Sequence, residues 1–131
     1  MIALLPFLIS IYQAPVTCVA IDGDTIRCPE IGRVRLLGID APEMAGHCRK
    51  GRICVVGDPM KSKAKLAWLI RGGVTIAPVT RDRYGRTVAQ VYAGDRNVAC
   101  AQLRAGMVIY KPKWDNGRRL AGECRYARGK P

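Results

Sequence analysis

The sequence predicts a small α+β domain, mainly β, in which five or so short, strongly turning strands fit a closed barrel with two to three packed helices. The first observation is size: 131 residues, 49% of them hydrophobic, suffice for one domain with a real core but not for two. The second is order, because segments rich in β-branched residues come first and are separated by Gly- and Asp-bearing turns. The third is that helical segments are interspersed among the strands and carry their own start and stop signals.

Taken in order, residues 2–12 form an uncharged apolar run. It is far shorter than the ~20 apolar residues that span a bilayer as a helix. Its length fits the hydrophobic region of a secretory signal, with Ala14 as a cleavage residue. No basic residue precedes the run and Pro15 would follow the cut, so an apolar arm packed on the domain is the alternative. The expected organisation is therefore a leader over 1–14 and one domain over 15–131.

Residues 16–27 alternate with β-branched content and read as a hairpin turning at Gly23. Gly32 resets the chain before a second strand over 33–39, which Pro42 terminates, leaving Glu43 just beyond. Residues 44–57 read as a loop. Asp58-Pro59 starts a helix, a capping acid followed by proline at the first helical position. Over 61–71 that helix is expected to turn Ala64, Leu66, Ala67, Trp68 and Ile70 inward and Lys61, Lys63 and Lys65 outward, stopping at Gly72-Gly73. Strands over 74–79 and 87–93 flank a polar turn, and Gly94-Asp95 makes the next turn. Asn97 caps a short helix ended by Gly106, and 107–110 is a last strand or extended segment. In the tail a helix around 118–128 is expected, weakened by its glycines.

Charge and cysteine content narrow the function. The 22 Lys and Arg residues exceed the 10 acids by 12, which implies a strongly anionic partner, nucleic acid above all. A basic face kept for solubility, or one resting on anionic lipid, is the plainer reading. Six cysteines in a small chain point to an oxidising compartment and up to three disulfides. Six cysteines allow 15 pairings. A reversal at Gly23 would bring Cys18 and Cys28 face to face across the hairpin. Cys48 and Cys54 can close a small loop, and Cys100 and Cys124 can tie a helix to the C-terminal segment. Zinc held by His47, Cys48 and Cys54 is a rival, although no CxxC pair supports it. Isolated buried thiols are a third possibility.

The acids are scarce, yet five of the 10 (Asp22, Asp24, Glu30, Asp40, Glu43) fall between residues 22 and 43. Three short blocks, IDGDT (21–25), RLLGIDAPE (35–43) and RDRYGR (81–86), together supply two metal carboxylates (Asp24, Asp40), a base (Glu43) and two guanidinium groups (Arg35, Arg86). A phosphodiester repels hydroxide, so a hard cation with oxygen ligands is suited to neutralising it and orienting water. Arginine suits the clamp because its planar fork grips two phosphate oxygens and stays charged. Each block alone is weak evidence: DGDT is ordinary turn chemistry, DAPE a cap and strand end, RYGR a solvated turn.

In combination, VAIDGDTI, RVRLLGIDAPE and RDRYGRTVAQVY resemble the staphylococcal nuclease-like (thermonuclease) family. The likeness covers roughly 16–112, continuing more loosely through NVACAQLRAGM to YKP. It implies a five-stranded OB-fold barrel with packed helices, and a Ca²⁺-dependent nuclease acting on DNA and RNA to leave 5′-hydroxyl and 3′-phosphate ends. By the resemblance, Asp24 and Asp40 are metal carboxylates with the Ala41 backbone carbonyl as a third ligand, and Asp22 supports them. Glu43 activates or positions water, Arg35 and Arg86 clamp the phosphate, and Arg83 and Tyr84 flank the nucleotide. Ala41 stands where the family has threonine, which spares a backbone ligand but removes a hydroxyl. The segment after YKP is short, so the base-stacking aromatic has no direct match. Tyr110 and Trp114 are candidates by chemistry, beside Lys111, with tail packing as their other reading.

The expected function is therefore a phosphodiesterase acting on nucleic acid, monomeric, periplasmic or secreted, without stable membrane association. The alternatives are a non-catalytic OB-fold module that holds DNA or RNA uncut, and a disulfide-stapled cationic protein that binds membrane or polyanion.

Overall fold

The computed structural model describes residues 13–128. The expected leader lies outside the described residues except for Gln13 and Ala14, both exposed. Strands β1 (Val19–Ala20) and β2 (Thr25–Cys28) form the hairpin, with Val19 opposite Arg27 and Ala20 opposite Ile26. That register carries Cys18 onto Cys28, and the two are disulfide-bonded with Cα atoms 4.4 Å apart. Strand β3 (Gly32–Leu36) runs antiparallel to β2 and sets Thr25 opposite Arg35.

The single strand expected over 33–39 is two. Gly38 has φ +79°, a left-handed conformation that favours glycine, and a Cβ there would lie 3.0 Å from Leu120 Cδ2. The chain therefore turns at Leu37-Gly38, and β4 (Ile39–Asp40) leaves the main sheet to pair antiparallel with β8 (Ile109–Tyr110). This turn sets Asp40 off the line of β3.

Helix α1 (Pro59–Ile70) begins as expected: Asp58 Oδ1 accepts the Met60 and Lys61 N–H groups at 3.0 and 3.1 Å. Its inward face differs from expectation. Ser62, Leu66, Leu69 and Ile70 are buried, whereas Ala64, Ala67 and Trp68 face out. The spacing 62-66-69-70 defines one stripe, and Trp68 lies off it, flanked by Lys65 and Arg71.

Strands β5 (Thr75–Arg81) and β6 (Thr87–Ala93) pair antiparallel, with an irregularity between Pro78 and Thr80, and β6 runs parallel to β3. The strand order is β1-β2-β3-β6-β5. An antiparallel bridge between Val16 and Val74 joins the two ends of that order, as a barrel requires. Strand β7 (Arg96–Asn97), not foreseen, folds back on β6. Asn97 Oδ1 then caps α2 (Val98–Arg104) by accepting the Cys100 N–H at 3.1 Å.

The tail helix is shorter than the span expected around 118–128. Two 3₁₀ turns lead into α3 (Arg119–Glu123), and Cys124 returns to extended backbone. Buried Asp115 starts α3 by accepting the Leu120 and Ala121 N–H groups at 2.9 and 3.0 Å, and it also takes the Tyr110 hydroxyl at 2.6 Å. The Cys100–Cys124 disulfide fixes the far end against α2.

The core is built from both layers: Ile26, Val34, Leu36 and Val91 from the barrel, Leu66 and Val98 from the helices, and Leu120 from the tail. One polar node crosses it. Buried Gln102 donates through Nε2 to the Gly23 and Ser62 carbonyls at 2.9 and 3.0 Å, while Ser62 Oγ donates to the Met107 carbonyl at 2.7 Å. A Cβ on Gly23 would come 1.8 Å from Ser62 Oγ, so glycine lets both helices close on the turn. Among the described residues no helix is long and apolar enough to cross a membrane.

Candidate active site

Asp24 enters the site from the hairpin turn. Its carbonyl accepts the Leu36 N–H at 2.9 Å, locking the turn to β3. Its buried carboxylate needs partners for both oxygens. Oδ1 accepts the Thr25 hydroxyl and Oδ2 the Ala41 N–H, each at 2.8 Å. Arg35 reaches across from β3, its Nη2 3.5 Å from Asp24 Oδ2, 3.4 Å from Asp40 Oδ1 and 3.2 Å from the Ile39 carbonyl. One guanidinium nitrogen thus faces both buried carboxylates.

The three acids differ in their hold on protons. Burial pushes Asp24 up, but the Arg35 charge and hydrogen bonds from Asp22, Ala41 and Thr25 outweigh it and hold the group below the usual carboxylate value. Asp22 accepts the Asp24 N–H at 3.0 Å; burial first, and then its contact with Asp24, push it up to about 7. Asp40 is raised too, by burial and then by the Asp24 charge, against the pull of Arg35 and Arg52.

Arg86 is aimed by its own turn. Asp82 Oδ2 accepts Arg86 Nε at 2.6 Å, and Oδ1 accepts the Tyr84 and Arg86 N–H groups at 2.9 and 3.0 Å. Burial raises Asp82, but these Arg86 bonds lower it further and keep it ionised. Tyr84 stands exposed, with Arg49, Arg83 and Arg86 within 5.7, 5.1 and 5.4 Å of its ring.

These groups meet at a cleft of about 530 Å³ whose walls include Arg35, Arg52, Tyr84, Arg86 and Trp114. Trp114 covers the outer face of Arg35 at 4.6 Å. Arg35 and Arg52 belong to the cleft wall and also touch the acids, so the acids sit directly behind the cleft's arginines. Asp24, Arg35, Asp40, Glu43 and Arg86 are therefore brought to one place. Tyr110 and Lys111 are not part of this wall: the Tyr110 hydroxyl is spent on Asp115, while Lys111 lies 5.4 Å from the Trp114 ring.

Two contributors were missed in the sequence. Asp82 was legible, because an acid heading D-x-Y-G-R is placed to bond its own turn. Arg52 gave no signal, since its partners are folded back from 12 and nine residues away. The zinc alternative falls, because Cys48 and Cys54 are joined in a disulfide. Among the described residues no three His, Cys, Asp or Glu side chains converge into a metal site. A cation beside Asp24 and Asp40 would thus complete its shell with backbone oxygen and water, which suits a hard ion that takes six to eight oxygens.

A barrel of this strand order, with paired buried carboxylates behind an arginine-walled cleft, defines an OB-fold nuclease. The family model for staphylococcal nuclease homologues matches residues 33–123, and the chain belongs to that family. Proteins of Escherichia coli O157:H7 and Escherichia coli, each named an uncharacterized endonuclease, are 39% identical over 115 residues, covering 78% of this chain and 69% of their own length. A protein of Haemophilus influenzae with the same name is 35% identical over 91 residues, covering 66% of this chain but 46% of its own.

Proposed function

We propose that this nuclease is a Ca²⁺-dependent endonuclease that hydrolyses DNA or RNA to 5′-hydroxyl and 3′-phosphate ends. The observation that carries the reading is Arg35, which lies against both Asp24 and Asp40 while walling the cleft that also holds Arg86. Asp24, Asp40 and the Ala41 carbonyl are the residues that would hold the ion, and Asp22 supports Asp24 through its N–H. Bound there, the ion would neutralise phosphate charge and polarise water. The donor chemistry fits, since both side-chain ligands are carboxylates.

The chain's own residues do the rest. Arg35 and Arg86 grip the non-bridging phosphate oxygens and tighten as charge builds on phosphorus. Glu43 accepts a proton from the attacking water and fixes its line of approach. The water oxygen bonds to phosphorus, the bond to O5′ breaks, and O5′ takes up a proton, leaving phosphate on the 3′ side. Arg83, Tyr84 and Trp114 flank the nucleotide, with Trp114 offering a face for a base. Lys111 adds charge, and Tyr110 serves chiefly to hold Asp115.

Three disulfides fit an oxidising compartment. A periplasmic or secreted, monomeric enzyme is the setting we propose. Cleavage of a single-stranded oligonucleotide by oxidised protein, with Ca²⁺ and with chelator, tests the reading. Cutting that needs Ca²⁺ and is lost in Glu43→Gln is expected; full activity of Glu43→Gln would overturn the assignment of the base.

A further inference from the structure

Arg52 has no task in the scheme above, yet it touches two of its residues. Its Nη2 stands 3.3 Å from Asp40 Oδ2 and its Nη1 3.3 Å from Glu43 Oε1. It is carried by the 48–54 loop, which the Cys48–Cys54 disulfide closes with Cα atoms 6.1 Å apart. Inside the loop the Arg52 N–H donates to the Arg49 carbonyl at 3.0 Å, and Arg49 Nη1 donates in turn to the Tyr84 hydroxyl at 3.3 Å. The loop is held by its own crosslink and by contacts on both sides of the cleft.

Three features set Arg52 apart from a charge that merely neutralises acids. Its side chain is 40% exposed and stands in the cleft wall with Arg35 and Arg86. Its pair with Glu43, between two partly exposed side chains, is weakly held, and a guanidinium trades such a contact readily for the two oxygens of a phosphate. Nη1 on Glu43 Oε1, moreover, occupies one of the positions from which water could reach that carboxylate.

We infer that Arg52 is a third phosphate-binding residue of the cleft, delivered by the disulfide-closed loop. It rests on Asp40 and Glu43 in the free protein and passes to the phosphodiester when substrate arrives, which releases Glu43 to act on water. The inference rests on the proposed site.

Its test is equilibrium binding of a single-stranded oligonucleotide in chelator, so that nothing is cut, across a range of salt. Each phosphate neutralised on a single strand contributes about 0.7 to the slope of log K against log salt. Arg52→Gln is expected to lower the slope by that amount and to weaken binding about tenfold at low salt. A purely structural role would leave the slope alone. Lowered slopes in Arg35→Ala and Arg86→Ala beside an unchanged slope in Arg52→Gln would overturn the role of Arg52 and leave the proposed site standing. Unchanged slopes in all three would overturn the site as well. Cys48→Ser combined with Cys54→Ser keeps Arg52 but frees its loop, and weaker binding with little change in Tm is expected; unaltered affinity would overturn the loop's part.

Discussion

At the scale of single residues, the site works by setting charges against one another in a confined space. Removing a preorganised charge donor to the transition state costs about 10²–10³ in kcat. Arg86→Ala is expected to fall in that range, read from initial rates at saturating oligonucleotide. Asp82→Ala leaves the arginine present but unaimed, and about a tenfold lower kcat/KM is expected. Asp22 gives a pH signature in chelated protein. Its pKa rises from 3.8 unfolded to about 7 folded, so the folded state holds the extra proton between those values. The contribution of Asp22 to stability is therefore complete below pH 3.8 and is lost as pH rises towards 7. Thermal melts in chelator should show a smaller loss over that window for Asp22→Asn than for the wild type.

At the scale of elements, what the sequence made legible was local and what it hid was long-range. The Asp58-Pro59 start of α1, the Asn97 cap of α2 and the register that joins Cys18 to Cys28 all follow from neighbours in sequence. The outward turn of Trp68 was not legible, because two apolar stripes were open to α1 and only packing chose between them. The break at Gly38 and the pairing of β4 with β8 depend on Asp115 and Leu120, more than 70 residues away. The acids and arginines near the cleft could be named from three blocks, whereas Arg52 could not, because a loop with no helical or strand periodicity carries it there. Two substitutions probe the elements. Asp58→Ala should cost ~1 kcal/mol by removing a helix cap, measured by urea denaturation. Gly23→Ala should cost about 1–3 kcal/mol, because its Cβ would overlap Ser62 Oγ, and the same denaturation curves would reveal it.

At the scale of the whole molecule, a net charge of +12 is spread over a barrel that gathers Asp22, Asp24, Asp40 and Glu43 at one site. The three crosslinks are unequal in access. Cys18, Cys28 and Cys124 are buried, while Cys48 is exposed and Cys54 half-buried. Attack on a disulfide requires access to its sulfur. Mild reductant should therefore open Cys48–Cys54 first, seen by mass spectrometry of alkylated peptides, and leave the melting temperature nearly intact. Opening Cys100–Cys124, which spans 24 residues, should cost roughly 3 kcal/mol.

Gln102 lies in α2, well inside the protein, yet its amide hydrogen-bonds the backbone of the turn that presents Asp24. A random-mutagenesis screen scored only for lost cleavage should accordingly return Gln102 and Ser62 beside the acids and arginines. A map drawn from that screen would place functional importance deep in the protein, where no substrate goes.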